Sequence, residues 1–94
     1  MKVRVWRYDV SRDFREEFVR EYGPAGSWAA LFARSSAFVD TALYVDVTRV
    51  GSYLTVDRFV DETGWTRFRK EHDAAYVRLG DELGHLTVAQ EELV

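Results

Sequence analysis

Three side chains of this 94-residue chain are the main candidates for acid–base chemistry: His72, Asp57 and Arg58. A histidine titrates near neutral pH, so His72 is a candidate general base or haem ligand. Asp57 and Arg58 are adjacent in a segment with strand character, where neighbouring residues point to opposite faces of the sheet. If Asp57 faces a cavity, it can orient a ligand hydroxyl group or accept a proton. Arg58 can stabilise a developing oxyanion.

Each of these residues also has a structural interpretation. His72 lies among apolar residues at helical spacing, where a histidine is more often a core residue held by a nearby hydroxyl or carbonyl group. Asp57 and Arg58 can form structural ion pairs, with Arg4 or Arg7 as partners, because buried charges need partners whether or not a reaction occurs. The sequence favours these structural roles over the catalytic ones.

Seven tyrosine and tryptophan side chains are suited to lining a pocket for a flat aromatic ligand. Aromatic residues at strand or helix spacing more often form a core or a dimer interface, so both interpretations stay open. The number of rings favours a planar substrate over a sugar or a phosphate. The seven are Trp28 and Tyr53 together with the five pocket candidates Trp6, Tyr8, Tyr44, Trp65 and Tyr76.

Composition and missing motifs exclude several function classes. The formal net charge of -3 removes the overall attraction to phosphate on which nucleic-acid binding depends. Without cysteine there is no disulfide scaffold, thiol nucleophile or thiolate zinc site. There is no glycine-rich phosphate loop, G-x-S-x-G turn or H-E-x-x-H motif, so we expect an activity that needs neither metal nor flavin. No apolar run approaches a signal peptide or the ~20 residues of a membrane span, so we expect a cytoplasmic protein without membrane contact.

The first half of the chain predicts a strand followed by a broken helix. Residues Lys2–Val10 carry apolar side chains on both faces, which is typical of a covered strand. Ser11 is expected to cap the helix that follows, since its hydroxyl group can accept a bond from an unpaired N–H of the first turn. Gly23-Pro24 ends that helix. Residues 25–34 then resume helical spacing as a second, shorter segment.

Residues 38–47 and 52–60 predict a β-hairpin, since both are rich in Val, Thr, Tyr and Phe and flank a short turn. Both faces of the hairpin are apolar, so each needs a cover. With the turn centred on residues 48–51, one face carries Val39, Leu43, Val45, Leu54, Val56 and Val60, and the other carries Phe38, Ala42, Tyr44, Tyr53, Thr55 and Phe59.

The last third of the chain predicts a helix and a short edge strand. Asp61 is expected to cap the helix, and Gly80 to end it. Residues 81–94 are expected to form a short helix or turn and then a minimal edge strand. Thr87 and Gln90 have the spacing of a capping box.

This order of elements predicts one domain over residues 1–94 of the α+β class. The expected architecture is a ferredoxin-like split βαβ sandwich, an antiparallel sheet with helices on one face. The other sheet face still carries bulky apolar groups, and the chain has no element left to cover them. A second copy of the chain is the expected cover, so we predict a homodimer.

Four segments carry a family resemblance. They are VRVWRY at residues 3–8, YGPAGSW at 22–28, YLTVDRF at 53–59, and Phe68-Arg69 with His72 and Ala75-Tyr76 in the last helix. In these segments, from residue 2 to about residue 80, the chain resembles the antibiotic biosynthesis monooxygenase family, which has the dimeric α/β-barrel fold. The resemblance implies a pocket between sheet and helices. In enzymatic relatives that pocket holds an aromatic polyketide, a quinol or haem, and oxygen is used without a dedicated metal or flavin, apart from haem when haem is the substrate.

One departure from the family pattern separates two hypotheses. Quinol-oxidising and haem-degrading relatives rely on an asparagine and a tryptophan, joined by a histidine in the haem-degrading branch. This sequence has Trp65 and His72 but no asparagine. The first hypothesis is a cofactor-independent monooxygenase for a small aromatic compound, and the alternative is a non-catalytic or accessory ligand-binding dimer of the same fold. Convergence of His72 with Asp57 or Arg58 on one enclosed pocket favours the enzyme.

Overall fold

A computed structural model describes all residues from 1 to 94 and shows a four-stranded antiparallel sheet. Its strands are β1 (Lys2–Val10), β2 (Phe38–Val45), β3 (Ser52–Phe59) and β4 (Thr87–Glu92). Their order across the sheet is β2-β3-β1-β4, which places the first and third strands at the centre. The predicted ferredoxin-like α+β architecture is confirmed, including the short terminal edge strand.

Four helices connect these strands. They are α1 (Arg15–Tyr22), α2 (Ser27–Phe32), α3 (Glu62–Glu71) and α4 (Asp73–Leu83), with single 3-10 turns at Arg12–Phe14 and Gly84–Leu86. None of the helices is long and apolar enough to cross a membrane.

The core is aromatic and lies between the helices and one face of the sheet. One cluster joins Tyr8 and Tyr53 of the strands to Phe18 of α1. A second joins Phe59 of β3 to Phe32 of α2, whose ring centroids are 5.7 Å apart, and to Phe68 of α3. Tyr8, Tyr53 and Phe59 occupy alternate positions of β1 and β3, so a single face of the sheet is covered.

The hairpin forms as predicted, but the facing predicted for most of β2 is wrong. Val45 pairs with Tyr53 and Leu43 with Thr55, so Leu43 and Val45 share the helix-covered face with Tyr53 and Thr55. The loop begins at Asp46, whose carboxylate accepts bonds from Thr48, and this longer loop shifts the register by one residue. A bulge at Val39 then returns Phe38 to the predicted face, where it pairs with Phe59.

The helix predicted after Asp61 forms, but it is broken into α3 and α4 and ends later than predicted. Asp61 caps α3 as expected, accepting a 2.7 Å hydrogen bond from the backbone N–H of Gly64. The helix is interrupted at His72, where φ is -119° and ψ is 24°. The prediction that Gly80 ends it is wrong, because α4 continues to Leu83, whose side chain is buried in the core. That burial outweighs the roughly 1 kcal/mol that one helical glycine costs.

Two predicted caps are absent. Ser11 makes no side-chain capping bond; instead its backbone carbonyl accepts a 3.0 Å bond from the N–H of Phe14 in the 3-10 turn. Thr87 and Gln90 form no capping box, because both lie in strand β4. In both places the chain is leaving or entering a strand, and the strand's backbone pairing determines the local geometry.

The second face of the sheet has no cover within the chain. Val5, Val56 and Ala42 lie side by side at its centre, in register across three strands. Tyr44 follows on the same face and is 56% exposed. We call this surface the open face. At one end it also carries the ion pair between Arg58 and Asp40.

Candidate functional site

A cavity of about 370 Å³ lies between the covered face of the sheet and the helices. Ligand sites are usually concave, largely apolar and of this size or larger. The sheet contributes one wall and α2 and α4 contribute the other. The side chains that line it include Arg4, Trp6, Tyr8, Thr55 and Asp57 from the central strands, Thr87 and Gln90 from β4, and Tyr22, Trp28, Phe32 and Tyr76 from the helices.

The polar end of the cavity is built by two central strands. Arg4 of β1 and Asp57 of β3 are direct cross-strand partners, and both are about 5% exposed. Their closest charged atoms, Nη1 of Arg4 and Oδ2 of Asp57, are 3.6 Å apart. The other carboxylate oxygen of Asp57 accepts a 2.8 Å bond from the hydroxyl group of Thr41. One of the ion pairs expected from the sequence therefore forms inside the cavity.

Burial changes the acidity of the cavity's titratable groups. Desolvation raises the pKa of Asp57, and this effect exceeds the opposing influence of the Thr41 hydroxyl group and the Arg4 charge. Burial likewise raises the pKa of Tyr8 and of Tyr22, so both phenols stay neutral. Asp57 is the carboxylate best suited to accept a proton, since its basicity exceeds that of an exposed aspartate.

Arg4 is held by weak contacts and keeps unused hydrogen-bond donors. Its Nη2 atom donates a 3.2 Å bond to the hydroxyl group of Tyr76 and lies 3.8 Å from a carboxylate oxygen of Glu92. Its guanidinium carbon lies 4.0 Å from the ring centroid of Trp65, a cation–π contact. A guanidinium group has five N–H donors, so Arg4 can still bind an oxyanion in the cavity.

The rest of the cavity has aromatic walls. Trp6 and Tyr8 are stacked with centroids 6.1 Å apart, and across the cavity Trp28 meets Tyr76 edge to face at 5.2 Å. The Nε1 atom of Trp28 is buried without a hydrogen-bond partner. Burial is the largest cause of the raised pKa of Tyr22, and Trp28 acts in the opposite direction. Walls of this kind suit a planar ring with oxygen substituents.

The cavity contains only some of the site residues that were predicted from the sequence. Asp57, Trp6, Tyr8 and Tyr76 line the cavity. As expected for adjacent strand residues, Arg58 points the other way. It lies on the open face, where its Nε atom donates a 2.7 Å bond to Asp40.

Three further predicted residues lie outside the cavity lining. Tyr44 projects from the open face, because the register of β2 is shifted by one residue. Trp65 packs against the second core cluster, behind the cavity-lining residues Arg4, Phe32 and Tyr76. His72 occupies the break between α3 and α4, with its ring 5.2 Å from that of Phe68. No group of three His, Asp or Glu side chains is arranged to hold a metal ion.

The position of His72 predicts the effect of its removal. We expect His72→Ala to lower the free energy of unfolding by about 1–3 kcal/mol, because the ring packs on Phe68 at a helix junction. Ligand affinity and turnover are expected to stay within twofold of the native values. Urea denaturation and ligand titration of the same sample check both parts. Unchanged stability with a tenfold loss of binding would instead assign His72 to the site.

Comparison with known proteins supports the fold. No protein-family model matches the chain, and no curated protein matches it. Among crystal structures, SnoaB, a cofactor-independent oxygenase from Streptomyces nogalater, is similar, with a TM-score of 0.65 and 21% identity over 98% of this chain and 89% of that chain. An antibiotic biosynthesis monooxygenase aligns with a TM-score of 0.62 and 11% identity over 100% of this chain and 97% of that one. PA3566 from Pseudomonas aeruginosa aligns with a TM-score of 0.65 and 14% identity over 97% and 87%.

These neighbours define the architectural class of the protein. The chain has the fold of the antibiotic biosynthesis monooxygenases, and the resemblance inferred from its sequence is confirmed at that level. At identities of 21% and below, the similarity concerns the fold, so the chemistry must be argued from the cavity.

Proposed function

We propose that the protein is an antibiotic-biosynthesis-monooxygenase-like enzyme that oxidises a small aromatic, polyketide-like compound with molecular oxygen and without a cofactor. The observation that carries this proposal is the buried pair of Asp57 and Arg4 at the polar end of an aromatic cavity. The fold it shares with a cofactor-independent oxygenase supports the same reaction class. A planar phenol or quinol fits the aromatic walls, with its hydroxyl group directed to the charged pair.

The reaction begins with a proton transfer. The carboxylate of Asp57 takes the proton of the substrate hydroxyl group, a step helped by the raised pKa of this residue. The free N–H donors of Arg4 stabilise the resulting oxyanion. An aromatic oxyanion is rich in electrons and can reduce oxygen itself. Oxygen adds to a ring carbon, and the O–O bond and the C–H bond of that carbon then break. One oxygen atom stays on the ring, which is oxidised to a quinone, and the other leaves as water with the ring hydrogen and the proton held by Asp57.

In this proposal Asp57 and Arg4 take the place of the asparagine that relatives use. Arg4 also takes the role that the sequence assigned to Arg58, because only Arg4 faces the cavity. His72 has no part in the proton transfer, since it lies outside the cavity lining.

We infer that the working form is a homodimer joined through the open face. Val5, Val56 and Ala42 form the centre of that face, and no element of the chain covers them. A second copy of the same sheet is the self-complementary cover that twofold symmetry provides. The cavity lies on the opposite side of the sheet, so dimer formation leaves it free.

An accessory, ligand-binding role is the second candidate. It is favoured by the absence of asparagine and by the position of His72 away from the cavity. Both roles predict binding of a planar aromatic compound, and only the enzyme predicts oxygen consumption.

Oxygen uptake with a naphthalenediol tests the proposal. With chelator present, we expect the purified protein to consume oxygen faster than spontaneous oxidation does, and mass spectrometry to show a product containing one added oxygen atom. Binding without oxygen uptake would favour the accessory role. Absence of binding to naphthalenediol and to larger ring systems would contradict both candidates.

A further inference from the structure

The six glycines of the chain fall into two groups. Four are required by the backbone or by close packing. Gly51 has a φ of 85°, a β carbon at Gly23 would lie 2.7 Å from the carbonyl oxygen of Val19, and β carbons at Gly26 and Gly64 would collide with neighbouring atoms. The two that remain, Gly80 and Gly84, have no such requirement.

Neither Gly80 nor Gly84 needs to be a glycine for the fold. Gly80 lies inside α4, where a β carbon would meet only the ring of Trp28, at the ordinary contact distance of 3.9 Å. Gly84 has right-handed helical geometry, with φ -58° and ψ -28°, and a β carbon there would meet nothing within 4 Å. Glycine is a poor helix former, so each position carries a cost in stability that alanine would remove.

Both of these glycines line the cavity, one turn of helix apart. A side chain at Gly80 would start 3.9 Å from the ring of Trp28, and one at Gly84, just after α4, would start at the exposed edge of the cavity. The cavity that they leave open is about two and a half times the 150 Å³ that accommodates one benzene ring in a well-characterised engineered cavity. The space is therefore sufficient for two or three fused rings.

We propose that Gly80 and Gly84 determine substrate size, keeping the α4 wall open so that the cavity admits a fused-ring aromatic compound. This inference rests on the proposed function, because it assigns the ring system of that substrate to the space beside α4. The hydroxyl end of the ligand lies at Arg4 and Asp57, and its far ring lies over the two glycines, facing Trp28.

Three probes of increasing length test the proposal: phenol, a naphthol and a hydroxyanthraquinone. Calorimetric titration is expected to show that Gly80→Leu weakens hydroxyanthraquinone binding at least tenfold and leaves phenol binding within threefold of the native value. Gly84→Leu, nearer the chain's exposed surface, is expected to give a smaller loss of the same kind. Ala74→Leu is the matched control, since it adds the same side chain to an exposed position of α4 outside the cavity.

A second variant, Gly80→Ala, keeps the proposal testable if Gly80→Leu does not fold. Gly80→Ala is expected to raise the melting temperature by about 4–8 °C, because alanine favours the helix and meets no clash. It is expected to weaken hydroxyanthraquinone binding less than leucine does. Hydroxyanthraquinone binding equal to native in folded Gly80→Leu protein would overturn the size-selection role alone. Absence of binding of all three probes to the native protein would overturn the proposed function as well.

Discussion

Asp57→Asn is expected to reduce turnover of a naphthalenediol at least a hundredfold, about 2.7 kcal/mol in activation free energy. The amide has nearly the same shape as the carboxylate, and its oxygen can still accept the hydrogen bond from Thr41. It cannot accept the substrate proton. Substrate binding is therefore expected to change less than turnover, and steady-state oxygen uptake with a separate binding titration measures both.

Asp73→Asn provides the control for this experiment. Asp73 also pairs with an arginine, Arg69, at 2.7 Å, but it lies on the exposed surface at the start of α4. Its replacement is expected to leave turnover within twofold of the native value. Turnover of Asp57→Asn within threefold of native would remove Asp57 from the reaction and favour the accessory role.

The raised pKa of Asp57 predicts that the stability of the native protein and that of Asp57→Asn depend differently on pH. The carboxyl group of Asp57 binds its proton more tightly in the native protein than in the unfolded chain, where its pKa is about 3.8. Its contribution to stability is therefore complete below pH 3.8 and is lost as pH rises through the raised native pKa. Asp57→Asn lacks this loss. Urea denaturation across that interval should show the stability of the native protein falling relative to the variant, while native turnover rises with ionisation of the carboxyl group.

Val56→Lys is expected to convert the protein from a dimer to a monomer. Val56 lies at the centre of the open face, between Val5 and Ala42. Twofold symmetry brings two lysines into one interface, and burying an unpaired ammonium group costs several kcal/mol. We expect the dissociation constant to rise at least a hundredfold. Light scattering over a range of concentrations measures it, and an obligate interface of about 2,000 Å² or more is expected for the native protein.

Val19→Lys is the matched control for the dimer prediction. Val19 is 43% exposed on α1, on the helical side of the molecule. The same charge placed there is expected to leave the dimer intact. A native protein that stays monomeric at all concentrations would contradict the role assigned to the open face.

Much of the architecture could be predicted from the sequence because it depends on local patterns. Alternation in residues 2–10 and the Val, Thr, Tyr and Phe content of residues 52–60 predicted the two central strands. Strand geometry also showed that Asp57 and Arg58 must face opposite ways. The side that each takes depends on pairing between strands distant in sequence. Arg4 faces Asp57 across β1 and β3, and that register is set by the assembled sheet.

The prediction from sequence was less successful where a shift of one residue in strand register moves a side chain to the other face of the sheet. The loop from Asp46 to Gly51 moves the register of β2, so Tyr44 projects from the open face. His72 has the helical spacing of the apolar stripe, but the break between α3 and α4 separates it from the cavity. Trp28 is one of the seven aromatic residues suited to a pocket but was not one of the five pocket candidates. It nevertheless lies in the wall opposite the sheet. Helical periodicity identifies the side of a helix that is covered, and it does not distinguish a filled core from a cavity.

The central position of β1 also determines when the protein can fold during synthesis. β1 is made first, yet one of its two neighbours is β4, which is made last. Until residues 87–92 leave the ribosome, one edge of β1 has no partner, and the cavity lacks the wall that contains Thr87 and Gln90. A nascent chain that already contains α4 therefore exposes both an unpaired strand edge and the aromatic interior, which are the features that bind chaperones and promote aggregation.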